Sequence, residues 1–530
     1  MAVRPYPGVY IDDIAGGPRA IAGVSTSVAA FIGWFAAGPI DEPVLVTSWA
    51  EVQTRFGGLH PDSEASYALW MFFRNGGATA WVVRLMRGEV DDPNATPQTT
   101  SIQVASGELD GPDPENVSTT VAVLEVTARD PGAAGNFITV TVSDPEIANS
   151  GTFDLTIERA ESPDMPDLPP RTESFKGLHV DGANGALRPE DVESSLVTLQ
   201  QLVAGRPSAG SVTLTNGGTL ADQVVSPSDT SPYLGSKYEN TGLHAFGRTN
   251  FNLLCLPGVS SNLILDEAIG LCEEHRAMLI VDAPTPGSKT NPTARMRDFM
   301  LGGGSPAVTA LPRKAHAAVY YPWIEIQDPL RNGSPRPMGP CGMIAGLAAR
   351  TDGQVGVWKA PAGTDAPLVG VWRLAVELTD EQNGVLNQLG VNCLRRFDSA
   401  GMVCWGARTL RGADSLADRY KYVPVRRLTS FIEASLYEGT QWVVFQPNNE
   451  VLWRDLRITI RTFMNRLYEQ GAFAGATPDE AFQVQCDRET NPPDLVDNGI
   501  VTARVYFAPV KPAEFVVIEL RQIQQLAAAQ

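Results

Sequence analysis

Between Phe251 and Ile326 the chain alternates between two kinds of apolar run. FNLLCLPGV, MLIVDAP and HAAVYYPWIEI are short and dense in branched and aromatic residues, as buried strands are. LILDEAIGLCEEHR and TARMRDFMLGG lie between them with helical spacing. Strands separated by helices cannot close as hairpins, so the pattern dictates a mainly parallel sheet covered by helices. The same grammar opens the chain. STSVAAFIGWFAAGP, from Ser25, reads as a buried strand ending at a Gly-Pro turn. SEASYALWMFFRNGG reads as a helix capped by Ser63 and stopped at Gly76-Gly77, and ATAWVVRLM returns as a strand.

The two stretches are separated by a segment of different character. Residues 88 to 240 are rich in Pro, Gly, Asp, Ser and Thr and carry the alternating runs VAVLEVTAR, NFITVTVSD and TFDLTIERA. Period-2 alternation predicts antiparallel strands in a smaller β-rich domain, inserted into a fold that resumes near Asn250. Within it ESPDMPDLPPRTES reads as a loop, and VSPSDTSPYLGS as a linker. A last region begins near Thr379 with the helix TDEQNGVLNQLG and the strands NCLRRF and GMVCWGARTL. Helices follow around PVRRLTSFIEASLYEG and NEVLWRDLRITIRTFMNRLYEQG, and the strands AFQVQCD, GIVTARVYFAPV and EFVVIELRQ close the chain.

Composition excludes several classes. A length of 530 residues implies about three domains, and 43% hydrophobic with 19% charged residues describes a folded chain. A net charge of −19 argues against binding nucleic acid, which requires a basic face. The longest apolar passage, from Val28, is broken by Gly33, Gly38 and Pro39 and falls short of the roughly 18 residues of a membrane span. No secretory leader is evident at the N-terminus. The six cysteines form no CxxC pair and mostly sit in apolar runs, as buried thiols do.

The strand ends of an α/β sheet are the usual place for an active site. Here they offer Cys255, Asp282, Tyr320 and Tyr321. No GxGxxG follows a strand, and there is no GxxxxGK[ST], HExxH or GxSxG. Cys272 and His275 have CxxH spacing without a second ligand pair, which reads as a helix face. No catalytic, cofactor or metal site is therefore assigned. An α/β enzyme acting as a small oligomer is kept as the alternative.

The two ends are more telling. RPYPGVYIDDI places the strand residues Val9, Tyr10 and Ile11 after Pro5, Pro7 and Gly8. At the other end Pro509 and Pro512 precede Phe515, Val516, Val517, Ile518, Glu519 and Leu520. An apolar strand on a proline-stiffened tether is a poor solitary element, suited to completing a sheet of another molecule. Head-to-tail contacts of that kind build open filaments. On the helix from Trp453, Leu456, Ile460, Phe463 and Leu467 mark a core side. Arg454, Arg457 and Arg461 form a cationic stripe on another side, suited to carboxylates of a partner or of the chain itself.

Several of these segments resemble contractile phage tail sheath proteins: PYPGVYIDDIAGGPRAIAGVSTSVAAFIGWFAAGPIDEPVLVTSWAEVQTRFGG, RNGGATAWVVR, KYVPVRRLTSFIEASLYEGTQWVVFQPNNEVLWRDLRITIRTFMNRLYEQGAF and NPPDLVDNGIVTARVYFAPVKPAEFVVIELRQ. The likeness is strong over about the first 90 and last 150 residues, moderate in the α/β middle and faint in the insertion. It implies a mixed α/β (α+β) subunit with an N-terminal arm (1–25) and an α/β core in two parts (26–90 and 241–375). A β-rich outer insertion (91–240), a tube-facing inner domain (376–508) and a C-terminal linker and arm (509–530) complete it. It further implies stacked hexameric rings around an inner tube protein, with baseplate and terminal cap proteins as the other partners and no cofactor. The implied site of assembly is the bacterial cytoplasm, as part of a phage tail or tail-like particle. Under it the terminal strands weave neighbouring subunits together, the prolines with Gly8 act as hinges, and Arg454, Arg457 and Arg461 meet the tube.

Overall fold

The computed structural model describes residues 20–87, 103–113, 115, 119–144, 151–285, 291–304, 309–515 and 517. The chain divides into two compact units, one of residues 25–427 and one of residues 1–24 with 428–530.

The larger unit begins with β1 (Ala29–Trp34), buried at every position as its unbroken apolar run requires. β2 (Val44–Val46), α1 (Trp49–Phe56), α2 (Glu64–Arg74) and β3 (Ala80–Leu85) follow. Ser63 caps α2, its hydroxyl accepting the Ser66 N–H at 3.0 Å, and Gly76 turns the chain out at φ +109°.

The insertion then supplies β4 (Ser106–Pro112), β5 (Thr120–Ala128), β6 (Ile138–Ser143), β7 (Phe153–Arg159), β8 (Arg171–Leu178), β9 (Val197–Gln201) and β10 (Gly210–Thr213). All its pairings are antiparallel, in sheets ordered β4-β5-β9 and β10-β6-β7-β8, joined by a bridge between Ser106 and Thr215. The inward residues of alternate positions, Leu124, Val126, Val140, Val142, Leu155 and Ile157 among them, share one core. Across the remaining gap, Glu173 on β8 accepts hydrogen bonds from the Ser194 and Ser195 hydroxyls just before β9, at 2.6 and 2.5 Å. Arg84 on β3, fully buried, ties the insertion to the core by donating to the carbonyls of Phe35 (2.9 Å) and Pro131 (2.8 Å).

The segment expected to be a linker instead carries structure. After α3 (Leu220–Gln223), α4 (Thr230–Leu234) places Tyr233 in the main core, where its ring is buried. The sheet then resumes through β11 (Leu253–Cys255), α5 (Asn262–Glu274), β12 (Met278–Asp282), α6 (Ala294–Leu301) and β13 (Ala317–Tyr321). β11 pairs in parallel with β1, so the two halves of the core meet strand to strand across the insertion. HAAVYYPWIEI is two strands and not one. Pro322 ends β13, and β14 (Ile324–Gln327) enters a side sheet with β15 (Pro335–Met338) and β16 (Arg373–Leu374).

Helix α7 (Cys341–Gln354) packs on α2. A Cβ on Gly342 would lie 2.0 Å from the Ala68 carbonyl oxygen, and one on Gly346 2.4 Å from that of Phe72, so only glycine permits this approach. α8 (Asp380–Gln388), β17 (Val391–Phe397) and β18 (Gly401–Cys404) complete the unit. The full order is β18-β17-β13-β12-β11-β1-β3-β2, parallel from β17 to β3 with antiparallel edges. The expected boundary at 375/376 therefore falls before strands that are hydrogen-bonded into this sheet, whereas the chain divides between Arg427 and Leu428. β17 reads as a fresh start in sequence because about 70 residues separate it from β13, its neighbour in the sheet.

The smaller unit holds most of α9 (Val423–Gly439), then α10 (Glu450–Glu469), β19 (Phe482–Gln485) and β20 (Arg504–Phe507). Phe473 packs between Phe482 and Phe507, with ring centroids 6.1 and 5.6 Å apart, each pair worth about 0.5–1.5 kcal/mol. The segment from Ala20 to Val24 lies on α9. The Val24 N–H reaches the Ser435 hydroxyl at 3.2 Å, and Ile21 fills the space above Gly439.

Candidate functional site

Helix α10 begins at Asn449, whose side chain accepts the N–H groups of Val451 (3.0 Å) and Leu452 (3.1 Å). Its buried face carries Leu456, Ile460, Phe463 and Leu467, as the helical spacing predicts, together with Leu452 and Trp453. The three expected arginines do not share one setting. Arg454 is exposed beside Asp455 at 3.3 Å, and Arg457 is half-buried and donates to the Cys486 carbonyl at 3.4 Å. Arg461 engages Asp479 at 2.8 Å.

Arg454 and Arg457 line a cleft of about 420 Å³ with Glu450, Val451, Trp453, Cys486, Asp487 and Arg488. Arg488, on the loop after β19, was not legible as part of this group because it is distant in sequence. Three guanidinium groups line it against two carboxylates, with Arg488 paired to Glu450 at 2.5 Å and Arg454 beside Asp455 just outside, so Arg457 is the lining arginine that has no ion pair among the described residues. The cleft suits carboxylates, which arginine binds through paired N–H donors.

At the C-terminal end β20 pairs antiparallel with β19. The pairing continues past Phe507: the Ala508 carbonyl accepts from Ala474 N–H at 2.8 Å, and Val510 N–H donates to Ala472 at 3.3 Å. Pro509 thus lies within a paired stretch, bridged to Phe473, while Pro512 lies beyond it. Phe515 and Val517 then stand exposed at 74% and 83%. Pro5, Pro7, Gly8, Val9, Tyr10, Ile11, Val516, Ile518, Glu519 and Leu520 lie outside the described residues.

The strand-end residues considered for chemistry are engaged in packing. Asp282 is fully buried and accepts the N–H of Cys341 at 2.8 Å and that of Gly258 at 3.0 Å, closing the start of α7. Burial pushes its carboxyl up to about 6, against the pull of those two N–H groups. Tyr321 donates to the Pro292 carbonyl at 2.6 Å, and burial raises its hydroxyl to about 12. Cys255 and Tyr320 lie in the core. Cys272 is also buried there, and the neighbouring His275 stacks on Phe251 at 4.8 Å. Among the described residues no group of three or more His, Cys, Asp or Glu side chains converges as metal ligands. No helix among them is long and apolar enough to cross a membrane.

These features define a two-unit α/β chain with a β-rich insertion and an α+β unit that bears the arginine-lined cleft and the paired C-terminal strand. Residues 233–410 match the family model of the phage tail sheath protein central domain, and residues 417–523 that of the phage tail sheath C-terminal domain, together more than half of the chain. The chain belongs to the phage tail sheath protein family. It is 29% identical to the tail sheath protein of Vibrio phage KVP40 over 178 residues, 33% of this chain and 25% of that one. To a putative prophage major tail sheath protein of Pseudomonas aeruginosa it is 27% identical over 287 residues, 52% of this chain and 67% of that one. It thus spans about a quarter of the length of the Vibrio phage relative. The fold is similar to that in the sheath complex of an extracellular contractile injection system, PVC, in its contracted state. The TM-score is 0.57 at 19% identity, over 99% of both chains.

Proposed function

We propose that this chain is the structural subunit of a contractile tail sheath. In this reading it polymerises as stacked hexameric rings around an inner tube and shortens from an extended, metastable state to drive the tube through a target envelope. The work is mechanical: energy is stored in subunit packing, no nucleotide is consumed, and the chain is not an enzyme. The observation that carries the reading is the C-terminal segment, paired up to Val510 and then leading out through Pro512 to exposed Phe515 and Val517. Apolar side chains at the end of a hairpin are stabilised when a neighbouring molecule covers them and its strand edge completes the sheet.

The terminal strands, residues 9–11 and 515–520, would join neighbouring subunits, with Pro5, Pro7, Gly8, Pro509 and Pro512 as hinges. Of these, Pro512 is the one described beyond the paired stretch. Arg454, Arg457 and Arg461 would face carboxylates of the inner tube, while the insertion at 91–240 would face outwards between core parts 26–90 and 241–375. Baseplate and terminal cap proteins would bound the polymer, assembled in a bacterial cytoplasm as part of a phage tail or tail-like particle.

Electron microscopy of the full chain beside one ending at Pro512 tests the reading. Hollow helical tubes from the full chain, absent after truncation, are expected. Discrete particles of one size from both, in the presence of the tube protein, would overturn it.

A further inference from the structure

The loop between α9 and α10 carries a conflict between sequence and backbone. Gln446 N–H donates to the Val443 carbonyl at 3.1 Å, closing a four-residue turn. Val444 has φ −63° and ψ 132°, and Phe445 has φ +66°. Those angles define a type II turn with phenylalanine at its third position, where the left-handed backbone favours glycine or asparagine. A bulky side chain is strained there. Among the described residues the strain gains no packing, since Phe445 is fully exposed (101%) and Val444 beside it is 58% exposed.

The turn is nonetheless held firmly on both sides. Val443 N–H donates to Thr440 at 3.0 Å, the Asn448 side chain donates to the Ile500 carbonyl at 3.2 Å, and Trp453 Nε1 donates to Asn448 Oδ1 at 2.8 Å. A rigid base thus presents a large apolar ring to solvent in an unfavourable backbone conformation. An aromatic anchor of this kind, ordered before contact, is what a protein interface uses to concentrate its binding energy.

We propose that Phe445, with Val444, is a preformed apolar knob that inserts into a second copy of this chain. Charge selects the occupant. Each copy carries −19, so two copies repel unless they meet through surfaces free of like charge. The eleven residues from Gly439 to Asn449 contain no charged side chain, in a chain where 19% of residues are charged. Covering these eleven residues desolvates no charged side chain of their own. The proposal rests on the polymerising reading above but concerns a contact separate from the terminal strands.

The test is Phe445→Gly in the full chain. Glycine accepts the turn's backbone, so the melting temperature is expected to stay equal or rise. The polymer fraction in sedimentation is expected to fall at least tenfold. A photo-reactive benzophenone analogue of phenylalanine placed at 445 is expected to crosslink, in assembled material, to a peptide of this same chain on another copy. Normal assembly of Phe445→Gly, a lowered melting temperature, or a crosslink only to a different protein would each overturn the knob. A wild-type chain that forms no polymer even with its tube protein would overturn the sheath reading and the knob together. Polymer formed equally by wild type and variant would overturn the knob alone.

Discussion

Asp352, near the end of α7, and Arg427 form a bidentate ion pair with both side chains almost fully buried. Nη1–Oδ1 is 3.0 Å and Nη2–Oδ2 2.6 Å, at side-chain exposures of 3% for Asp352 and 5% for Arg427. Arg427 Nη2 also donates to the Thr26 carbonyl at 2.9 Å. Thr26 and Arg427 stand next to the two points, 24/25 and 427/428, at which the chain leaves the larger unit. One carboxylate therefore orients the arginine that fastens both exits.

Removing one partner strands a buried charge. Asp352→Ala is expected to destabilise the larger unit by about 3–5 kcal/mol. The double change Asp352→Leu with Arg427→Met is expected to restore most of that loss, because apolar replacement removes both desolvation costs. Urea unfolding of the wild type and the two variants checks this. Equal losses in the single and double variants would mean that the pair's charges are not what holds the site.

Asp282 makes stability depend on pH in an unusual direction. Its folded value, about 6, lies above the ordinary 3.8, so the folded chain holds the proton more tightly than the unfolded one. Stability from this group is greatest below pH 4, declines as pH rises to about 6, and is flat above. The full span is at most about 3 kcal/mol at 1.36 kcal/mol per pH unit. Asp282→Asn should flatten the slope between pH 4 and 6 relative to wild type. It should also lose about 1–3 kcal/mol at low pH, since an amide can accept only one of the two N–H bonds through its oxygen and leaves the other donor unpaired. Chemical denaturation at stepped pH measures both. Parallel curves for the two proteins would refute the assignment.

The insertion's seam depends on Glu173. Burial pushes its carboxyl up, but the hydrogen bonds from Ser194 and Ser195 and the charge of Arg171 outweigh this and hold it below the ordinary range. Its contribution is present above the ordinary carboxylate range and lost as pH falls through the lower folded value. Glu173→Ala is expected to remove about 1–3 kcal/mol of local stability. Amide exchange should quicken in β8 and β9 and stay unchanged in the central sheet. Uniform quickening across the chain would argue that the insertion does not open by itself.

Arg454→Glu with Arg457→Glu reverses two guanidinium groups of the cleft. Both act at or near the surface, so stability should change by about 1 kcal/mol or less, while co-assembly with the inner tube protein should fall at least tenfold. Arg461→Glu should have the smaller effect, because Arg461 does not line the cleft and is engaged by Asp479. Co-sedimentation of sheath with tube ranks the variants. A double reversal that co-assembles like wild type would remove the cleft from the tube contact.

How much of this was legible in the sequence varies by element. β1, β12 and β13 are dense apolar runs, and the strands of the insertion alternate inward and outward residues, so both patterns announce themselves. α7 carries no readable period, because CGMIAGLAAR is buried on nearly all sides and has no polar face. Pro and Ser surround Tyr233, so its segment reads as a linker, although its ring fills the main core. Arg488 joins Arg454 and Arg457 only through the return of the loop after β19.

By itself the sequence determined the alternation that compels a parallel sheet, the antiparallel strands of the runs VAVLEVTAR, NFITVTVSD and TFDLTIERA, and the apolar side of α10. These follow from local steric preference and from which side chains water rejects, both written in the spacing of neighbouring residues. The tertiary structure decided what depends on residues far apart in the chain. It placed β17 and β18 in the central sheet, closed the insertion through Glu173, and separated Arg461 from the arginine cleft. It also set Phe445 at a left-handed turn position with its ring exposed to solvent. Contacts of that kind are chosen by the packing of the whole chain, so no local pattern carries them.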